Sequence, residues 1–129
     1  MSDPILAAIH AVLSTDTDVD DALGRRLYDR VPDRARAPYL TYGPIASLPL
    51  DAEGVEAHDV TLEVWSRARG RAEAASALHA VANALDGAAL LIDGHRCIDC
   101  RVTARETRAQ GLELYRGALR LRVVTESQD

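Results

Sequence analysis

The residues best suited to chemistry stand together in His95-Arg96-Cys97-Ile98-Asp99-Cys100. Two thiols separated by two residues, with an imidazole nearby, can open a zinc or dithiol redox site. Strand periodicity works against that reading. Side chains three apart on a strand point to opposite faces, so Cys100 is expected to face the core and Cys97 to face away. The segment then holds one buried and one surface thiol, each acting as a small hydrophobe. A small metal or redox protein using Cys97 and Cys100 is the alternative.

Asp16-Thr17-Asp18-Val19-Asp20-Asp21 has acidic residues at alternating positions, like the start of a calcium loop. The remainder of the loop fails, because Asp21 stands where glycine is needed and Leu27 where the bidentate Glu belongs. A solvated connection with Asp and Thr as turn or cap residues is expected instead. His10, His58, His79 and His95 fall on different elements, and none is paired with a Ser, Cys or carboxylate at a recognisable catalytic spacing. Gly70 and Gly87 mark helix boundaries and form no phosphate-cradling run. No catalytic, cofactor-binding or metal-binding residue is assigned, and the chain is expected not to be an enzyme.

Trp65-Ser66-Arg67-Ala68-Arg69-Gly70-Arg71 is a basic cluster with one indole, placed between a strand and a helix. Trp and Arg are the side chains that most often anchor protein contacts. Trp65, Arg67, Arg69 and Arg71 are therefore candidate interface residues, with a solvated strand-to-helix turn as the simpler alternative. The acidic loop with Asp51, Glu53 and Glu56 offers the opposite charge to a neighbouring subunit, or is merely solvated.

The elements that must position these residues belong to one domain, residues 1–129, of ordinary globular composition: 47% hydrophobic and 27% charged. Net charge is −5, all fifteen basic residues are Arg, and Phe is absent. That balance disfavours binding to free nucleic acid, which calls for a basic patch and stacking aromatics. No run is long and apolar enough to span a membrane, and no signal peptide is visible, so cytoplasmic synthesis with reduced thiols is expected.

Asp3-Pro4 reads as the cap and first residue of a helix reaching about Leu13, with Ile5, Leu6, Ile9, Val12 and Leu13 on one stripe. After a polar connection over residues 14–21, Leu27 to Val31 reads as a short edge strand. Pro38 to Ile45 reads as a second strand bending at Gly43-Pro44, followed by a loop from Leu48 to Ala57. His58 to Arg67 alternates cleanly, with Val60, Leu62 and Val64 on one face, and should be central.

Ala74, Leu78, Val81 and Leu85 repeat at helical spacing between Gly70 and Gly87. A turn at Asp93-Gly94 leads to a strand with Ile98, Cys100, Val102 and Ala104 inward, and Leu90 to Ile92 could supply the other arm of that hairpin. The last strand turns Leu119, Leu121 and Val123 inward, with Leu112 and Leu114 on the opposite parity, which predicts a bulge near Arg116-Gly117. The order α-β-β-β-α-β-β(-β) predicts an α+β domain, two helices packed on one face of a largely antiparallel sheet.

Taken in order, these segments resemble a family of phage tail-completion proteins, first catalogued as a domain of unknown function and also found in gene transfer agents. The resemblance runs through Arg26-Leu27-Tyr28-Asp29-Arg30-Val31-Pro32, Ala37-Pro38-Tyr39-Leu40-Thr41 and Val60-Thr61-Leu62-Glu63-Val64-Trp65-Ser66. It continues in Gly70-Arg71-Ala72-Glu73-Ala74 and Asp93-Gly94-His95, and ends at Leu119-Arg120-Leu121-Arg122-Val123-Val124-Thr125-Glu126. None of these pieces is a catalytic signature. The resemblance implies a structural tail terminator without cofactors. Copies would form a homo-hexameric ring at the head-proximal end of the tail, contacting the major tail tube protein on one side and a neck, stopper or head-completion protein on the other. It places the chain in a virion or gene transfer agent particle, with DNA passing through the ring without specific binding, helped by the acidic balance. A related neck or head-completion protein is the rival structural reading.

Overall fold

The computed structural model describes residues 3–128 of the chain. Helix α1, Pro4–Thr15, starts where the Asp3 carboxylate accepts the amide protons of Ile5 (2.8 Å) and Leu6 (3.1 Å), with Pro4 pre-set for the first turn. It buries Ile5, Leu6, Ala8, Ile9 and Leu13. The residues expected as a solvated connection form a second helix, α2, Thr17–Leu23. Asp16 ends α1 and caps α2, accepting the Val19 amide at 3.0 Å. Asp18 and Asp20 favour the positive N-terminal end, while Val19 and Leu23, four apart, reach the core. Two apolar residues in a helix of two turns are too few to stand out as a period against the four carboxylates of Asp16, Asp18, Asp20 and Asp21.

Strand β1 is only Leu27–Tyr28, an edge strand as expected, and shorter than the segment to Val31. It pairs parallel with β2, Tyr39–Pro49, whose register shifts between Tyr42 and Ile45 at the expected bend. A side chain at Gly43 would lie 2.9 Å from the Thr61 carbonyl oxygen, so the close approach of β2 to its neighbour requires glycine there. The expected loop from Leu48 to Ala57 contracts to residues 50–54, because β2 runs on to Pro49 and β3, Val55–Ser66, starts early. Helix α3, Ala72–Leu85, follows, and then the long hairpin of β4, His95–Gly111, and β5, Leu114–Ser127. Leu90 to Ile92 supplies only one isolated bridge, Ile92 to His95.

The sheet order is β1-β2-β3-β5-β4, so β3 is central as its alternation required, and all pairs except β1 with β2 are antiparallel. The domain is α+β in the expected order, with one helix more. Ile9, Leu13, Val19 and Leu23 join Leu78, Val81 and Leu85 against Leu40, Leu62, Val64, Leu119, Leu121 and Val123 in a single core. None of the described helices is long and apolar enough to cross a membrane.

The bulge predicted at Arg116-Gly117 is absent, since β5 pairs with β3 without interruption from Tyr115 to Glu126. Gly117 is an inward position lying under α3. A side chain there would meet Leu78 Cδ2 at 3.3 Å and the Ala74 carbonyl at 3.5 Å. Leu112 needs no change of phase: it sits in the hairpin turn and is 98% exposed. The register shifts fall in β4, which carries an extra residue at Ile98, at Thr103 and at Gln110. Ile98 and Ala104 are consequently exposed instead of inward.

Candidate assembly surfaces

Trp65 ends the regular part of β3, opposite Tyr39 on one side and Arg116 on the other. Strand alternation sets it on the sheet face away from the core residues Leu62 and Val64. The ring is half-buried and its Nε1–H donates to Thr41 Oγ1 at 3.0 Å. Two residues back along β3, the Glu63 carboxylate pairs with the Arg116 guanidinium of β5, both largely shielded from solvent. The buried hydroxyl of Ser66 then fixes the turn, donating to Glu73 Oε1 at 2.7 Å and accepting the Ala68 amide at 3.2 Å.

This local network leaves Arg67, Arg69 and Arg71 exposed on the segment that enters α3. None of the three forms an ion pair with a described residue. The Arg71 guanidinium lies 5.9 Å from the centroid of the Tyr115 ring, which ties the cluster to the tip end of the β4–β5 hairpin.

Asp51 and Glu53 stand exposed in the turn between β2 and β3, while Glu56 is half-buried close to His58. The turn borders a hollow of about 530 Å³ that also touches His95 and Ser127. The basic and acidic clusters thus sit at opposite ends of β3, separated by roughly 35 to 40 Å at a strand rise of about 3.3 Å per residue. With a screening length near 8 Å, they cannot neutralise each other within one chain.

Both cysteines face the helices, contrary to the opposite faces expected. The extra residue at Ile98 removes one alternation, so Cys97 lies opposite Thr125 and Cys100 opposite Val123, both buried positions. Burial, reinforced by the neighbouring Cys97 and Asp99, pushes the Cys100 thiol up to about 12, and it donates to the Leu85 carbonyl at 3.2 Å. Cys97 is half-buried, with its sulfur 3.6 Å from the Asp99 carbonyl oxygen. Among the described residues no group of three or more His, Cys, Asp or Glu could hold a metal ion.

One arrangement escaped the sequence reading. His58 Nδ1 lies 2.6 Å from Ser47 Oγ and Nε2 lies 2.9 Å from Thr125 Oγ1, joining β2, β3 and β5. A serine eleven residues from a histidine carries no recognisable spacing; only the β2–β3 register sets them opposite. Desolvation lowers the His58 pKa from 6.5, an effect opposed by Glu56 and Asp3 and assisted by His95. Thr125 places a hydroxyl on the second imidazole nitrogen, where a catalytic triad has a carboxylate, and the group works as a polar cross-tie.

A comparison with curated proteins finds no match. Seven chains of solved structures match. One, a chain from the virion of a native gene transfer agent (GTA) particle, is 26% identical, with a TM-score of 0.89 and 96% of each chain covered. The family model described as Tail completion protein gp17 matches residues 7–126. The protein is accordingly structural and non-enzymatic, and the chain belongs to the tail completion protein gp17 family.

Proposed function

We propose that this chain is the tail terminator of a phage or gene transfer agent particle. Copies close into a hexameric ring on the head-proximal end of the tail, end the growth of the tube and join it to the neck. The observation that carries the reading is the likeness, over 96% of both chains, to a component of a native gene transfer agent virion. The separation of charge supports it: a basic end and an acidic end on one subunit suit heterologous contacts, in which copies meet head to tail and the ring closes when the rotation between them allows.

In this reading Trp65, Arg67, Arg69 and Arg71 meet a neighbour on one side, and Asp51, Glu53 and Glu56 on the other. One ring face accepts the last ring of tube protein, while the opposite face refuses further tube subunits and takes a neck, stopper or head-completion protein. The acidic balance lets DNA pass without sticking. Negative-stain microscopy of particles lacking the chain tests this. Overlong or ragged tubes detached from heads are expected. Tubes of normal length that merely fail to join heads would make the protein a neck component and overturn the terminator assignment.

A further inference from the structure

The two most exposed leucines lie at opposite ends of the long hairpin. Leu112, 98% exposed, forms the tip between β4 and β5, where Glu113 adopts a positive φ of 58°. Leu91, 93% exposed, lies in the connection entering β4. It borders a hollow of about 560 Å³ lined by Leu90, Leu91, Ile92 and Cys97, together with polar groups that include His95 and Arg96. The hollow easily admits one leucine side chain. At about 3.3 Å per residue, β4 separates tip and hollow by roughly 50 Å, so a chain cannot fill its own hollow.

Each feature has a charged neighbour of the complementary sign. Tyr115, at the root of the tip, carries the Arg71 guanidinium of the basic cluster. The hollow adjoins the acidic turn with Asp51 and Glu53 through their common wall residue, His95. Knob and basic cluster therefore share one end of the subunit, and hollow and acidic turn share the other.

We infer that the Leu112 hairpin tip of one subunit seats in the Leu90–Cys97 hollow of a second copy of this chain, with the basic cluster of the first against the acidic turn of the second. The inference rests on the ring reading above and names the contact that would build the ring. A knob and a hollow on different surfaces make a heterologous contact, while the buried leucine supplies attraction that salt cannot screen.

Cys97 makes the contact directly testable. Particles carrying Leu112→Cys, treated with a mild oxidant, should yield a ladder of linked subunits on a non-reducing gel. Peptide mapping should join position 112 to Cys97, and adding Cys97→Ser should abolish the ladder. Glu113→Cys provides a second reporter at the same tip should the first variant impair assembly. Leu112→Asp should weaken self-association of the purified chain roughly 10- to 100-fold, the factor expected for loss of one buried leucine contact. Intact particles with no link to Cys97, links between two positions 112, or links from the tip to a different virion protein would each overturn the inference. Overlong tails in particles lacking the chain would leave the terminator reading standing in any of those cases.

Discussion

Replacing His58 with Leu removes the one side chain that joins Ser47 to Thr125 across three strands. Ser47 is exposed and can turn to water, so its loss is small. Thr125 is 1% exposed, and its hydroxyl would remain buried beside an apolar side chain. Stranding one buried polar group costs about 1–3 kcal/mol, and that range is the expected destabilisation by His58→Leu. Thr125→Val should cost a similar amount by orphaning Nε2. The double variant should recover much of the loss, because removing both partners leaves nothing unpaired, giving a coupling of about 1 kcal/mol or more.

The pH dependence has a fixed sign. The folded pKa of His58 lies below 6.5, so the unfolded chain takes up a proton first as the pH falls. Wild-type stability from this group is complete above 6.5 and is lost as the pH drops from there through the folded pKa, with a slope of at most about 1.4 kcal/mol per pH unit. Urea unfolding followed by Trp65 fluorescence, run from about pH 7.5 down to about pH 5.5, reads both effects. A His58→Leu variant with wild-type stability at neutral pH and the same acid slope would refute the reasoning.

Gly117→Val should destabilise by about 1–3 kcal/mol, because its side chain enters space held by Leu78 and the Ala74 carbonyl; a lowered thermal midpoint is the readout. Asp16→Ala should cost about 1 kcal/mol and raise amide exchange selectively over residues 17–23, where the lost cap held the start of α2. In the native protein at neutral pH, Cys100 should resist alkylation until the chain unfolds, and Cys97 should react first; mass spectrometry of the labelled peptides distinguishes them. Arg69→Glu with Arg71→Glu should leave the unfolding free energy within about 0.5 kcal/mol of wild type while sharply reducing particle yield or tail control. Normal yield and tail length from that pair would remove the basic cluster from the interface.

Much of the architecture was legible because periodicity and burial agree in it. Val60, Leu62 and Val64 alternate in sequence and are fully buried in the central strand, and Ala74, Leu78, Val81 and Leu85 fix α3 in the same way. Helix α2 escaped because its buried set is two residues long. The extra residues of β4 escaped because nothing in Ile98, Thr103 or Gln110 distinguishes a bulged position from a paired one; the partner strand decides it. The same cause defeated the assignment of Cys97 to the outer face. Gly117 reads in the sequence as the site of a bulge in its own strand, whereas the need for glycine there lies in the helix above. Of the candidate surfaces, residue type alone picked out the basic and acidic segments, whereas their placement at opposite ends depends on pairing along the whole of β3.

The irregularities of β4 bear on how an assembly protein survives before it meets its partners. An outermost strand of 17 residues offers a row of unsatisfied amides and carbonyls to any extended peptide it meets, including its own twin. Three added residues repeatedly throw that row out of step, and on the far margin Pro44 and Pro49 delete two donors. Stray chains thus find no continuous template for zipping into fibrils, and the free chain stays available for contacts made through its side chains.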